Sequence, residues 1–140
     1  MAAIQGGCLC GNVRYEYTAE MVTGDIALKA FCNCKDCQKW GGAPGMANVV
    51  VPRETFQVTK GEPKTFDTVG GSGKINKHFF CADCGSSLYC ELEVMGDKTA
   101  IKAGSLDQPD VGEMQVEFYV QDRVSYQKAQ ETAQQIPAFG

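Results

Sequence analysis

The sequence predicts a mainly β fold of small antiparallel sheets, with metal-binding knuckles on the turns between strands. Three observations lead to this prediction. Short segments alternate apolar and polar residues, sixteen glycines and five prolines interrupt them, and seven of the eight cysteines fall into three tight clusters. Closely spaced strands and turns are typical of β proteins, and cysteine pairs at this spacing are typical of zinc sites.

The expected strands follow from alternation along the chain. Val13, Tyr15 and Tyr17 alternate with polar neighbours and begin the series. A residue period of two is the pattern of a strand with one buried face. The later extended segments are Met46 to Val51, Thr65 to Val69, Lys77 to Cys81 and Ser87 to Val94.

Only two places in the sequence look helical. One is a short turn of helix over residues 34–39. The other covers residues 125–135, where Ala129, Ala133 and Ile136 give a thin apolar stripe. The chain has 140 residues and no linker rich in proline or serine. We therefore expect one domain over residues 1–140, with a C-terminal tail over 125–140 that includes the short helix.

The cysteine clusters indicate metal ligands. Two thiolates on one tight turn can point at a common zinc about 2.3 Å away. Seven sulfurs divide naturally into one complete set of four and one open set of three, and an open zinc shell is where catalysis takes place. The triad can close around one ion by itself, and the two distant pairs can share another, although the spacing also permits a triad completed by a distant sulfur. The clusters are Cys8 and Cys10; Cys32, Cys34 and Cys37; Cys81 and Cys84.

Composition narrows the partners and the compartment. The first residues have no cationic and apolar leader pattern, and no stretch is apolar enough for a membrane span, so we expect a cytoplasmic protein with reduced thiols. The net charge is −4, and no run of lysine or arginine exceeds one residue. Nucleic acid and membrane surfaces are therefore not expected partners, whereas the sequence contains nothing that decides the oligomeric state.

Several residues near the clusters have competing interpretations. Cys90 lies on the apolar face of an expected strand, so we predict core packing rather than ligation. His78 is expected to face solvent, and Asp36 and Lys39 are expected to be solvated loop charges. Trp40 follows the triad and is expected in the core, with a wall of the site as the alternative.

Two glycine-rich segments need separate treatment. The run from Gly70 to Lys74 is predicted to be a hairpin turn, because Thr68 and Ile75 stand where a phosphate-binding loop needs glycine and a hydroxyl residue. The loop after the triad is equally compatible with a plain loop and with backbone amides that approach a bound cofactor or ligand. The candidate residues of that loop are Gly42, Ala43 and Gly45.

The cysteine motifs and their neighbours form a recognisable set. They are Gly7-Cys8-Leu9-Cys10-Gly11, then Cys32-Asn33-Cys34-Lys35-Asp36-Cys37 followed by Gly42-Ala43-Pro44, then Phe80-Cys81-Ala82-Asp83-Cys84-Gly85-Ser86. This set resembles the glutathione-dependent formaldehyde-activating enzyme family, which also includes centromere protein V. The resemblance covers nearly the whole chain.

The resemblance implies a fold, two metals and a reaction. The fold would be a zinc-bound β-tent of coiled antiparallel sheets. The enzyme would be a carbon–sulfur lyase that reversibly combines glutathione and formaldehyde to S-(hydroxymethyl)glutathione, with two Zn²⁺ per chain and glutathione as co-substrate. Chromatin-associated members carry basic sequence that this acidic chain lacks. By matching to the family's motifs, the structural zinc would be bound by Cys8, Cys10, Cys81 and Cys84, and the catalytic zinc by Cys32, Cys34 and Cys37.

The chemistry of the triad agrees with such a reaction. Three thiolates on Zn²⁺ leave a formal charge of −1, which polarises bound water weakly and suits an incoming thiolate better than a hydroxide mechanism. Two alternatives stay open from the residues alone. One is a zinc-stabilised binding or structural module without turnover. The other is a related enzyme that acts on a different thiol conjugate or carbonyl compound.

Overall fold

The computed structural model describes residues 3–18 and 28–139, and strands dominate it, which confirms the mainly β prediction. One short helix, α1, spans Lys35–Gly41. The strands are β1 Ile4–Gly7, β2 Arg14–Tyr17, β3 Leu28–Cys32, β4 Met46–Pro52, β5 Phe56–Lys60, β6 Lys64–Val69, β7 Ile75–Phe80, β8 Ser87–Leu92, β9 Lys98–Lys102, β10 Val116–Phe118 and β11 Gln134–Gln135.

The strands form two sheets. The smaller has the order β1-β2-β5, and the larger has the order β11-β10-β3-β4-β9-β8-β7-β6. Every pairing is antiparallel except those of β10, which runs parallel to both β3 and β11. The antiparallel expectation therefore holds for most of the fold, and the parallel pairs arise where distant segments meet without a hairpin.

The centre of the larger sheet is covered on both faces, which explains why β4 is buried from Asn48 to Val51. Val49 and Val51 point toward the smaller sheet and join a core that includes Tyr15 from β2 and Ile101 from β9. Val50 points the other way, toward a second and smaller apolar cluster. The two-residue period thus separates a structural face from the face that lines the site described below.

Five predicted strands match β2, β4, β6, β7 and β8 to within two residues at each end. The predicted turn between Gly70 and Lys74 closes the β6–β7 hairpin, where the Gly70 amide donates to the Lys74 carbonyl at 2.9 Å. The predicted helix at residues 34–39 is α1. None of the helices in the described residues combines the length and apolar character needed to cross a bilayer.

The prediction of a helix over residues 125–135 is wrong. Residues 125–133 form turns, and β11 follows them. The apolar stripe is used differently, because Ala133 is buried and the Ile136 amide donates to the Glu117 carbonyl at 2.9 Å beside β10. Pairing with a distant strand has overridden a weak local preference for helix.

Candidate functional site

Four cysteines lie on two facing turns. The turn after β1 carries Cys8 and Cys10, and the Cys8 amide donates to the Val13 carbonyl at 3.0 Å. The turn between β7 and β8 carries Cys81 and Cys84. It closes through Gly85, whose φ of 77° is in the left-handed region and whose amide donates to the Cys81 carbonyl at 2.8 Å. Each turn therefore presents two sulfurs on the same side.

The sulfur separations fit a shared metal. The Cys8 and Cys10 sulfurs are 3.6 Å apart, and the Cys10 and Cys81 sulfurs are 3.8 Å apart. A tetrahedral zinc with bonds of about 2.3 Å requires sulfurs about 3.8 Å from one another. A disulfide would bring two sulfurs to about 2.05 Å, and all eight cysteines are free. The four sulfurs all lie within 4.8 Å of each other, so the donor set fits a thiophilic ion.

Hydrogen bonds connect and polarise these turns. The Leu9 amide donates to Ser86 Oγ at 3.0 Å, and Asn12 Nδ2 donates to Asp83 Oδ2 at 2.8 Å. The Ser86 hydroxyl also lies 3.2 Å from Cys84 Sγ. Together with backbone amides it lowers the pKa of Cys84 to about 5, so this sulfur is ready to bind a metal as a thiolate.

The other three cysteines come from one short segment. Cys32 ends β3, Cys34 caps the N-terminus of α1, and Cys37 lies in the first turn of that helix. Cys34 Sγ accepts a hydrogen bond from the Cys37 amide at 3.2 Å. The strand end and the helical turn bring the three sulfurs within 4.8 Å of one another. In the described part of the chain, no histidine, acidic residue or other cysteine joins this cluster.

The three thiols do not ionise alike. Hydrogen bonds from the Cys32 and Cys37 thiols lower the pKa of Cys34 to about 3. Hydrogen bonding with Cys34, together with burial and the charge of Cys34, raises the pKa of Cys32 to about 12, and hydrogen bonding with Cys32 and Cys34 raises the pKa of Cys37. The metal-free cluster therefore keeps one thiolate, and binding a metal would release the other two protons.

Buried polar contacts position the segment that carries the triad. Asn33 is fully buried, and its backbone amide donates to the Phe118 carbonyl at 2.9 Å. Gln38 Nε2 donates to the Asn33 carbonyl at 2.8 Å and to the Asp122 carbonyl at 3.0 Å. The buried carboxylate of Glu117 accepts from Arg123 Nη2 at 3.2 Å and lies 3.4 Å from Asn33 Nδ2. These contacts tie the triad to β10 and to the C-terminal segment.

The triad opens onto a cavity of about 280 Å³, which lies over one face of the larger sheet. A water molecule occupies about 30 Å³, so the cavity has room for far more than a one-carbon aldehyde. Its walls are largely apolar, and a few polar side chains lie among them. The floor consists of Ala30, Asn48, Val50, Thr68, Asn76, His78, Cys90, Leu92, Ala100 and Lys102, and Phe118, Tyr119 and Phe139 close one side.

The cavity contains a buried lysine that the sequence analysis missed. Lys102 is only 6% exposed, and its Nζ donates to Asn48 Oδ1 at 2.8 Å. Asn48 and Lys102 are direct partners across β4 and β9. The position of Lys102 at the end of an apolar strand was the available indication, but which face it occupies depends on the register of that strand.

His78 and Cys90 also lie in this cavity. The expectation that His78 faces solvent is wrong, because it is 6% exposed. It pairs with Cys90 across β7 and β8, with Nδ1 3.2 Å from Cys90 Sγ and Nε2 3.0 Å from Thr68 Oγ1. Cys90 is buried as predicted and lies outside the three-sulfur cluster. A cavity on the second face of the sheet explains how a strand histidine becomes buried.

The glycine loop after the triad does not line the cavity. Gly42 ends α1 with a φ of 61°, and Ala43 donates its amide to the Gln38 carbonyl at 3.2 Å. Gly45 is buried where a Cβ would meet the Cys32 carbonyl at 2.4 Å. Backbone geometry and close packing therefore account for these residues. As predicted, Asp36 and Lys39 are exposed on α1, although Asp36 also borders the cavity mouth.

Trp40 is neither a core residue nor a cavity wall. Its ring contacts the His78 ring at a centroid distance of 4.8 Å and stacks on Phe66 at 6.2 Å. Its Nε1 donates to Ser87 Oγ at 2.7 Å. Trp40 therefore supports His78 from behind the cavity and is the only tryptophan in the chain.

The fold and the site define a class of protein: a mainly β domain with two cysteine clusters that could hold metal ions, one of them beside a cavity. The family model described as glutathione-dependent formaldehyde-activating enzyme matches residues 3–122. The chain belongs to this family.

Two individual similarities accompany the family match. A Fusarium vanettenii protein, named by inference as a glutathione-dependent formaldehyde-activating enzyme, is 33% identical over 86 residues. The match covers 61% of this chain and 44% of the relative, so the chain spans less than half of that relative's length. The crystal structure of a Rhodobacter sphaeroides protein aligns with a TM-score of 0.60 and 21% identity, over 79% of this chain and 97% of that one. That likeness supports the fold alone.

Proposed function

We propose that this protein is a zinc-dependent carbon–sulfur lyase that reversibly combines glutathione and formaldehyde to S-(hydroxymethyl)glutathione. The observation that carries the proposal is the three-cysteine cluster, which opens onto the cavity and gains no fourth protein ligand from the described residues. We further propose that residues 1–140 act as one cytoplasmic domain on small-molecule thiol and aldehyde substrates.

The two clusters would hold two zinc ions with different roles. Cys8, Cys10, Cys81 and Cys84 would hold a structural zinc, because four sulfurs complete a tetrahedral shell. Cys32, Cys34 and Cys37 would hold the catalytic zinc. Bound there, zinc supplies a soft electrophilic position that favours a substrate thiolate over water.

The remaining residues would prepare the substrates for reaction. Apolar walls exclude water from the cavity, which holds the thiol and the aldehyde carbon close together. When the sulfur attacks, a carbon–sulfur bond forms, the carbonyl π bond breaks, and the oxygen takes the proton that the thiol has lost. The reverse reaction breaks the same bond. Asn33, Gln38 and Glu117 would keep the triad in position.

The test is the rate of exchange between glutathione and S-(hydroxymethyl)glutathione, measured by exchange NMR with and without protein. The zinc-loaded protein should accelerate exchange, and Cys37→Ser should lose the acceleration and one of two zinc ions. Lys39→Ala, an exposed change on the same helix, should keep both. If the wild-type rate equals the rate without protein while two zinc ions are bound, the glutathione reaction is rejected, and a binding or structural module or an enzyme for another substrate remains.

A different thiol or carbonyl compound is a second candidate, and the apolar wall of the cavity favours it. Val50, Leu92, Val94, Met95 and Phe118 offer little to a charged tripeptide. The same exchange measurement with a panel of thiols separates the candidates. Faster exchange with an apolar thiol than with glutathione would support the second.

A further inference from the structure

Lys102 is a buried cation without a carboxylate partner among the residues that the structure describes. Asn48 Oδ1, which is neutral, accepts its hydrogen bond at 2.8 Å. None of the three ion pairs in the described residues includes it. Asp36 and Asp122 line the same cavity, yet neither pairs with it. Because burying a charge is costly unless an opposite charge compensates it, this arrangement is suited to an anion supplied from the cavity.

The neighbours of Lys102 on the sheet are neutral. Burial raises the pKa of Cys90, so its thiol keeps its proton at neutral pH. Burial, followed by the positive charge of Lys102, lowers the pKa of His78, so its imidazole carries no charge. Both ring nitrogens of His78 also have hydrogen-bond partners, in the side chains of Thr68 and Cys90. Lys102 is therefore the positively charged residue of the cavity floor, and the second lysine that lines the cavity, Lys35, is exposed on α1.

Lys102 shares its cavity with the cysteine triad. Lys102, Cys32, Cys34 and Cys37 all line the same cavity of about 280 Å³. A ligand bound at the triad through its own sulfur atom would have room to extend a second polar atom toward Lys102.

We propose that Lys102, held by Asn48, binds a small oxyanion in the cavity and, during the reaction, the oxygen atom of the one-carbon group. The electron pair of the breaking carbonyl π bond moves to this oxygen as the carbon–sulfur bond forms, and the ammonium group stabilises the resulting negative charge. The part that concerns the reaction rests on the proposed function. The part that concerns oxyanion binding stands without it.

Oxyanion binding is tested with sodium formate, a one-carbon oxyanion, on the zinc-loaded protein at neutral pH. Calorimetry and Trp40 fluorescence report binding independently of activity, because the Trp40 ring contacts His78 beside the cavity. Lys102→Met should weaken formate binding about tenfold or more, since a hydrogen bond to a charged group is lost. Formamide, which is neutral and similar in size, should bind wild type and variant alike.

Two further variants keep the result interpretable if Lys102→Met folds poorly. Asn48→Asp keeps Lys102 but supplies a carboxylate in place of the amide, so it should also lose formate binding. Lys98→Met, at the other end of β9, should bind formate as wild type does. Formate binding that survives both Lys102→Met and Asn48→Asp would overturn the proposal.

The exchange reaction separates this proposal from the proposed function. If wild type catalyses exchange, Lys102→Met should lower kcat about tenfold or more with a smaller change in KM for the thiol, because the charge develops in the transition state. An unchanged kcat would overturn the role of Lys102 and leave the lyase intact. Formate binding that depends on Lys102 in a wild type without exchange activity would reject the lyase and support the anion subsite.

Discussion

The two cysteine clusters contain similar sulfurs in very different surroundings. The four-cysteine cluster joins two turns, and its Cys10 and Cys81 lie 71 residues apart in sequence. The three-cysteine cluster lies within one strand end and one helical turn, beside a cavity. A metal in the first would connect distant parts of the chain, whereas a metal in the second would be positioned by a segment that other contacts already hold. A metal in the first cluster would therefore serve folding, and a metal in the second would serve reactivity.

The largest expected effect distinguishes the clusters by stability. Cys81→Ser should remove one metal and unfold the protein or lower its stability by several kcal/mol, because structural zinc binding contributes directly to folding. Cys37→Ser should remove one metal with a much smaller loss. Circular dichroism melting with metal analysis of each variant provides the measurement. Equal losses would show that both clusters are structural.

A second prediction distinguishes the clusters by their access to thiols. When cobalt is loaded in place of the proposed zinc, adding glutathione should change the cobalt–thiolate absorption bands, because three protein thiolates would leave one coordination position free at the triad. Cys37→Ser should remove that change. The four-cysteine site should not respond, since four thiolates would complete its shell. An unchanged spectrum in the wild type would mean that both sites are closed to this thiol.

A third prediction concerns the support beneath the triad. Burial alone would raise the pKa of Glu117, but donors from Gln135, the Gln130 amide and Arg123 outweigh it and lower the pKa below 4.5. Its ionised form therefore stabilises the fold above about pH 4.5, and this contribution is lost as the pH falls through the lower folded value. Glu117→Gln should cost about 1–3 kcal/mol at pH 7.

The pH dependence provides the check on Glu117. Urea unfolding of wild type and Glu117→Gln, measured from pH 7 downward, should show a difference in stability that shrinks below pH 4.5. The exposed Glu113→Gln should match wild type throughout. A difference that does not vary with pH would mean that Glu117 contributes by shape and not by charge.

Sequence reasoning succeeded where the determining contacts are local. The spacing of Cys32, Cys34 and Cys37 brings their sulfurs together within one turn, and the alternation around Tyr15 defines a strand. It failed where the contacts are distant. Lys102 meets Asn48 only because β4 and β9 pair in one particular register. No local pattern specifies that register. His78 is buried because segments distant in sequence form a cavity over its face of the sheet, and the pattern around His78 contains no sign of them.

The C-terminal segment is a second place where distant contacts, which the sequence does not reveal, determine the structure. Ala133 and Ile136 have helical spacing, but β10 offers backbone groups that need partners, and β11 pairs with them. The Glu117 side chain then accepts from the Gln130 amide at 2.8 Å and from Gln135 Nε2 at 2.8 Å. Several hydrogen bonds to a buried carboxylate stabilise this arrangement more than a thin apolar stripe would stabilise a helix. The periodicity of a single sequence carries no information about such a distant contact.

The smallest expected effect is at the surface of the four-cysteine cluster. Asn12 Nδ2 donates to Asp83 Oδ2 at 2.8 Å across the two turns, but the contact is exposed. Asp83→Ala should therefore lower stability by less than about 1 kcal/mol when metal is bound, because exposed polar contacts contribute little. Thermal melting of the metal-loaded variant, beside Cys81→Ser, tests this. If the two variants lose similar stability, hydrogen bonds rather than thiolates hold the turns together, and the contrast between the clusters fails.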